Sequence, residues 1–182
     1  MQTPLLQVQK LVKRYQRGWP RTETTFELQA DFEVDAPTVI GVLGQDIHRV
    51  RYGERDRLAL HYHQSYQLRR FRRTRPRFML EAARTSQAAV HLFDEPQFNT
   101  QDGYIGFMLE FFRRLRASGK VVFLCLHPNE PVHLEILEAA CERFIFVDKD
   151  DARISRLREA ASWRELVAWP AAASYLGALL NR

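Results

Sequence analysis

The sequence predicts an α/β domain with a mostly parallel sheet and an antiparallel pair of strands at its N-terminal end. Between residues 77 and 150, short apolar runs alternate with segments whose apolar residues recur at helical spacing. That alternation is typical of βα units, whose strands run parallel. The chain has 182 residues, 46% of them hydrophobic, which is enough for one domain with a sizeable core.

The antiparallel pair is predicted from two N-terminal segments that alternate apolar and polar residues. They are LLQVQKLVKRY (5–15) and TTFELQADFEVD (24–35), and such alternation indicates strands buried on one face. The polar segment between them contains Gly18 and Pro20, residues that favour a turn. The two strands are therefore expected to pair across this connection.

The other strands are predicted from apolar runs that indicate burial on both faces of a sheet. They are TVIGVLG (38–44), AAVHLFDEP (88–96), VVFLCLH (121–127) and ERFIFVDKD (142–150). Helices are predicted at 77–87, 102–120, 129–141 and 155–182, the last broken near Pro170. The single domain then divides into N-terminal strands (1–44), a short basic connector (45–87), a βα core (88–150) and C-terminal helices (151–182).

Composition points to a basic protein without a membrane span. The formal net charge is +5, which favours nucleic acid, anionic lipid or an acidic protein surface as partner. No uncharged apolar stretch reaches eighteen residues, and the N-terminus lacks the layout of a secretory signal. Cys125 and Cys141 lie on apolar segments, as buried reduced thiols do. We expect a cytoplasmic protein, which could also lie peripherally at the inner face of the membrane.

Candidate functional residues follow the buried strands, because ligands of parallel sheets bind at the carboxyl ends of the strands. Asp94 and Glu95 end one strand and His127 ends the next. An aspartate there can hold a magnesium ion, and a glutamate beside it can polarise an attacking water. A histidine there can contact a terminal phosphate. The alternatives are an acidic turn that caps a helix and an incidental histidine at a strand end.

In this order and spacing, the segments resemble the nucleotide-binding subunits of ABC transporters, which have a P-loop NTPase fold. HLFDEPQFNTQD looks like the Walker B strand, catalytic glutamate and D-loop of that family. GKVVFLCLHPNEPVHLEILEAACERFIFVDKD looks like the next strand, the switch histidine, a helix and a closing strand. LLQVQKLVKRY looks like the opening strand, and FELQADFEVDAPTVIGVLG like the approach to the phosphate loop.

The resemblance implies a role for each matching residue. It implies Asp94 as the ligand on the magnesium side, Glu95 as the general base and His127 as the switch histidine. It also implies nucleotide contacts at Tyr15 (adenine stacking), Gly41 and Gly44 (start of the phosphate loop) and Asp102 (D-loop). The implied cofactors are ATP and Mg²⁺.

The sequence departs from the family where the phosphates should bind. If Gly44 is the first glycine of G-x-x-x-x-G-K-[ST], the last three positions fall on Arg49, Val50 and Arg51. Backbone amides, the lysine and the Ser/Thr hydroxyl normally hold the phosphates and Mg²⁺ there. No lysine occurs between Lys13 and Lys120 to substitute. We therefore interpret the segment as the remains of a phosphate loop.

The connector is also short. About fifty residues separate Gly44 from Asp94, where the family inserts a helical subdomain with a glutamine loop and an LSGGQ signature. That subdomain is expected to be reduced or missing, and Ser65 to Gln67 is only a weak match to the signature.

A cluster of six arginines lies within this connector, in LRRFRRTRPR (68–77). The cluster consists of Arg69, Arg70, Arg72, Arg73, Arg75 and Arg77. Such a cluster can grip phosphates of nucleic acid or lipid, or an acidic protein face. It can equally be a solvated helix face whose arginine stems cover apolar surface.

These observations predict a pseudo-ATPase with weak or no ATP hydrolysis. It would act as an accessory or regulatory subunit that pairs with an active ABC ATPase, a membrane permease or a second copy of itself. Two alternatives remain open: a basic module that binds nucleic acid or an anionic membrane through the arginine cluster, and an active ATPase with an atypical phosphate loop. The apolar C-terminal helices, which include Tyr175, are expected to pack over the sheet edge, or else to dock a partner.

Overall fold

In the computed structural model, the chain forms a sheet with helices packed against it. The structure describes residues 4–18, 21, 23–44, 58–62, 83–94, 96, 104–149 and 154–180. The strands are β1 (Leu6–Arg17), β2 (Glu23–Val34), β3 (Val39–Gly44), β4 (Leu58–Tyr62), β5 (Val90–Asp94), β6 (Val121–Cys125), β7 (Arg143–Lys149) and β8 (Ile154–Ala160). The helices are α1 (Tyr104–Ala117), α2 (Pro131–Ala140), α3 (Trp163–Val167) and α4 (Pro170–Leu180).

The predicted α/β class and the mostly parallel sheet are confirmed. The described strands form one eight-stranded sheet in the order β1-β2-β8-β7-β3-β6-β5-β4. The five strands from β7 to β4 in this order run parallel to one another. The pair β1–β2 is antiparallel, from Leu6 opposite Val34 to Arg17 opposite Glu23, as the alternating N-terminal segments predicted.

The core has two layers because the central strands are buried on both faces. On one face, side chains of the parallel strands pack against the helices, and Phe93, Phe111 and Phe112 form an edge-to-face aromatic cluster there. On the other face the sheet curls, so that β2 covers the parallel strands. Phe32 and Phe123 meet across this second layer, with 6.2 Å between ring centroids.

The start of the predicted C-terminal helix is wrong, because residues Ile154–Ala160 form strand β8. The segment ISRLREA contains good helix formers. It nevertheless pairs antiparallel with β7, from Lys149 opposite Ser155 to Phe144 opposite Ala160, and parallel with β2. Two neighbouring ladders satisfy its backbone, and this tertiary pairing overrides the local helical preference.

The helices of the C-terminal region begin only after β8. Ser162 caps α3, since its hydroxyl accepts from the Glu165 backbone N–H, and the Glu165 carboxylate accepts from the Ala161 N–H. This reciprocal arrangement satisfies N–H groups that have no partner inside the helix. Pro170 is the first residue of α4, a position that proline favours.

Two further parts of the connector can be compared with the sequence. Strand β4 forms where no element was predicted, and it pairs in parallel with β5 along its whole length. Of the predicted helix at 77–87, residues 83–85 are helical and residues 86–87 are not, whereas 77–82 lie outside the described residues. Residues 45–57 and 63–82, where a helical subdomain was expected to be reduced or missing, also lie outside them. No helix in the described part of the chain is long and apolar enough to cross a membrane.

Candidate functional site

The parallel strands bring three of the predicted site residues to one edge of the sheet. In the pairing of β5 with β6, Asp94 lies opposite Cys125, and in the pairing of β3 with β6, Val42 lies opposite Cys125. Gly44 ends β3, and His127 follows β6 by two residues. Since β3, β6 and β5 are adjacent and parallel, Gly44, His127 and Asp94 all lie at their carboxyl ends, where ligands of such sheets bind.

Gly44 is required by the packing of the sheet at this edge. Its φ is +142°, a conformation that residues with a side chain rarely adopt. A Cβ at this position would lie 2.7 Å from both the Cβ and the carbonyl oxygen of Val147 on β7. The chain therefore turns out of β3 where only glycine fits.

Gly41 is needed for a different reason. A Cβ there would lie 2.9 Å from the ring of Phe144 and 3.1 Å from Sγ of Cys141. Both neighbours are buried side chains of the layer beneath the helices. The structure thus accounts for Gly41 by close packing within the core, three residues before the strand end.

Asp94 ends β5 and is half-buried. Burial raises the pKa of the Cys125 thiol, and the negative charge of Asp94 raises it further. The carboxylate therefore lies close to β6, at the tip of a strand, where it could hold a divalent cation. Among the residues that the structure describes, no group of three or more His, Cys, Asp or Glu could hold a metal ion. A Mg²⁺ ion at Asp94 would take most of its ligands from phosphates and water, as this ion commonly does.

His127 contacts a residue that the sequence did not single out for the site. Its Nδ1 lies 3.2 Å from the hydroxyl of Tyr175 on α4, 48 positions further along the chain. The same phenol lies near the backbone of Gly44, which affects its pKa. Tyr175 thus joins the ends of two predicted site segments to the C-terminal helix.

The surroundings of Tyr175 are mostly apolar. Its ring lies edge-to-face with Phe146, with 5.9 Å between centroids. Burial raises the pKa of the phenol, and the nearby backbone of Gly44 opposes this rise. The phenol is therefore neutral at ordinary pH. In the sequence, Tyr175 had stood only within a set of apolar residues, and no local signal distinguished it.

The remaining predicted site residues lie outside what the structure describes. These are Glu95, Asp102 and the arginine cluster, together with the phosphate-loop positions 45–51. Tyr15 is described only in its backbone, which pairs with Phe26 in the β1–β2 ladder. The roles of these residues stay predictions.

Solved structures with a similar fold include ABC-type ATPases. The chain superimposes on a structure of RNase-L inhibitor with a TM-score of 0.63 at 13% identity, over 98% of this chain and 43% of that one. A complex of the archaeal ribosomal stalk protein aP1 with the archaeal ribosome recycling factor aABCE1 gives 0.62 at 13% identity, over 98% and 42%. An ATP binding subunit of an ABC transporter gives 0.56 at 13% identity, over 93% of this chain and 98% of that one.

These similarities define the class of fold. The chain has a fold like that of the nucleotide-binding domain of ABC-type ATPases. It spans about two fifths of the length of the first two structures and nearly the whole of the transporter subunit. No family model matches the sequence, and no curated protein is significantly similar to it. At 13% identity the likeness extends to the fold and not to the activity.

Proposed function

We propose that this chain is a protein similar to the ATP-binding subunits of ABC transporters, that it hydrolyses ATP weakly or not at all, and that it acts as an accessory or regulatory subunit. One observation carries the proposal. Asp94 and His127 lie with Gly44 at the carboxyl edge of an ABC-type sheet, whereas the sequence after Gly44 lacks the groups that bind phosphates.

The missing groups explain the weak chemistry. In a phosphate loop, a second glycine lets backbone N–H groups approach the phosphates, a lysine reaches the β- and γ-phosphates, and a Ser/Thr hydroxyl binds Mg²⁺. Arg49, Val50 and Arg51 stand at these positions. Valine offers no charge, and arginine in place of the hydroxyl repels the cation. Stabilisation of the transferred phosphoryl group is mainly electrostatic, so its loss lowers the rate directly.

The retained residues have defined roles in the proposal. Asp94 would hold Mg²⁺ that is bound to the nucleotide, Glu95 would orient or polarise the attacking water, and His127 would contact the terminal phosphate. The bound ion would neutralise phosphate charge. A carboxylate at a strand tip suits Mg²⁺, and this supports Asp94 as the ligand.

A protein partner is part of the proposal. One structure with a similar fold is a complex of a recycling factor with a ribosomal stalk protein, and for this chain we propose an active ABC ATPase, a membrane permease or a second copy. The protein would work in the cytoplasm, at the inner face of the membrane when a permease is the partner. Co-purification with a tagged chain and mass measurement of the complex would identify the partner. A strictly monomeric chain without bound protein would argue against this part.

Binding at the site is tested by calorimetric titration with ATP in the presence and absence of Mg²⁺. Asp94→Asn removes the charge at the strand tip, and Asp31→Asn, an exposed position on β2, is the matched control. Binding that requires Mg²⁺ and weakens only in Asp94→Asn would support the assigned role of Asp94. Mg²⁺-dependent binding that is equal in both variants would contradict it.

The arginine cluster supports a second candidate function, a module that binds nucleic acid or an anionic membrane. Its six arginines lie within nine residues, and phosphate contacts of this kind make affinity fall steeply with salt. Filter binding to RNA and sedimentation with vesicles containing phosphatidylserine would test it, with Arg69, Arg70 and Arg72 replaced by glutamine. Affinity that is insensitive to both salt and these substitutions would exclude it.

A further inference from the structure

Tyr175 connects the C-terminal helix to two residues at the carboxyl edge of the sheet. We propose that Tyr175 is a positioning residue, which holds the imidazole of His127 against the end of β3 in one tautomer. Its hydroxyl lies 3.2 Å from Nδ1 of His127, and the backbone of Gly44 lies near the same phenol. These three groups come from α4, from the segment after β6 and from β3.

The position of the hydroxyl is set by the packing of α4. Ala172 and Leu176, one turn apart, are fully buried in the layer beneath the helices. Tyr175 precedes Leu176 on the same side, with its ring against Phe146 of β7. A phenyl ring at this position would keep these contacts, so the hydroxyl can be removed without removing the ring.

The contact between the two side chains fixes the tautomer of His127 in this proposal. The backbone of Gly44 lies near the phenol as well and opposes the rise in its pKa. In the proposal, the phenol donates its one proton to Nδ1 of the neighbouring imidazole, 3.2 Å away. A neutral His127 that accepts this proton at Nδ1 carries its own proton on Nε2. Nε2 is buried in the structure, and its N–H is the group that the proposal assigns to a ligand at this edge.

The proposal about Tyr175 deepens the proposed function. Only its statement about the ligand rests on that function. A phosphate oxygen accepts a hydrogen bond from Nε2–H but not from an unprotonated nitrogen. The tautomer held by Tyr175 is thus the one that suits a phosphate-bearing ligand, such as ATP with Mg²⁺. The position of α4 and the tautomer of His127 are linked through the hydroxyl of Tyr175.

The first test needs no ligand. Long-range proton–nitrogen NMR of the full chain reports which ring nitrogen of His127 is protonated, and His127→Gln identifies its signals among the six histidines.

Tyr175→Phe removes the hydroxyl. Ser118→Ala removes the hydroxyl that donates to the Leu115 carbonyl at 2.7 Å, at the end of α1, and is the matched control. We expect the Nε2–H form in the wild type and in Ser118→Ala, and a mixture or the Nδ1–H form in Tyr175→Phe. An unchanged tautomer in Tyr175→Phe would overturn the proposal.

The second test adds ATP and Mg²⁺ to the same variants. Where the wild type binds, loss of the positioning contact should raise Kd about fivefold in Tyr175→Phe and leave it unchanged in Ser118→Ala. Equal affinities of the wild type and Tyr175→Phe would overturn the link to the ligand. A wild type that does not bind ATP contradicts nucleotide binding under the proposed function. In that case the NMR result alone decides the role of Tyr175.

Discussion

Gly44 at the end of β3 lies directly opposite Val147 of β7, so closely that a Cβ at position 44 would come within 2.7 Å of the Val147 carbonyl oxygen. This contact and the positive φ of Gly44 are properties of the folded sheet. They account for a glycine at the strand end whether or not a phosphate binds there. The likeness of this segment to a phosphate loop is therefore compatible with a purely structural need for Gly44.

Gly44→Ala should lower the free energy of unfolding by about 2–4 kcal/mol, because the new methyl group meets Val147 and the backbone conformation is strained. Urea unfolding measures the effect. Gly106→Ala is the control, since Gly106 lies in α1 with nothing within 4 Å of its added Cβ. It should raise stability by about 0.5–1 kcal/mol. A Gly44→Ala variant as stable as the wild type would refute this account of β3.

Phe112→Ala should destabilise the fold by about 3–5 kcal/mol. Phe112 is fully buried and lies edge-to-face with both Phe93 and Phe111, so its loss opens a cavity between α1 and β5. Phe107→Ala in the same helix is the matched control, because Phe107 is 55% exposed. Its effect should be well under 1 kcal/mol. Equal losses in the two variants would contradict the described orientation of α1.

The free energy of unfolding should decrease as the pH is lowered below about 6.5, the ordinary pKa of an imidazole, because of His91. Burial lowers the pKa of His91, its hydrogen bond to the Ala88 carbonyl opposes this, and the charge of Lys120 lowers it further. Above pH 6.5 neither state binds the proton, so His91 adds no pH dependence. Below it the unfolded chain binds a proton that the folded chain does not, and the free energy of unfolding decreases by at most about 1.4 kcal/mol per pH unit.

This slope is measured by urea unfolding between pH 7 and pH 5. His91→Gln should remove it, whereas His133→Gln on α2 should retain it. A wild-type slope that persists in His91→Gln would assign the effect to other groups.

The two cysteines should react slowly with thiol reagents in the folded protein. Both are buried, and burial raises the pKa of each thiol, which keeps the reactive thiolate scarce. Labelling at pH 8 should proceed at the rate of unfolding and become fast in urea. Rapid labelling of either thiol in the native state would show that the sheet near Cys125 or the start of β7 opens locally.

Much of the fold could be predicted from the sequence, because its signals are local. Alternation in 5–15 and 24–35 and the apolar run at 38–44 each correspond to an observed strand. Strand β8 could not be predicted this way, since its residues favour a helix and only the ladders with β7 and β2 make it a strand.

The candidate site was partly predictable because the strands that carry it have local signals in the sequence. The rule that ligands bind at the ends of parallel strands located Asp94 and His127 at one edge. Tyr175 was missed because its partner is 48 positions away, and only the packing of α4 brings the two together. Gly41 could be noticed in the sequence, but its packing against Phe144 could not.

The most direct test of the central claim is the steady-state rate of ATP hydrolysis by the purified chain with Mg²⁺, measured beside Glu95→Gln. The account predicts little or no turnover and no difference between the two proteins, because the residues after Gly44 lack the phosphate-binding lysine and hydroxyl. Turnover at ordinary enzymatic rates, about 1–10³ s⁻¹, that is abolished by Glu95→Gln would contradict it and make the chain an active ATPase with an atypical phosphate loop.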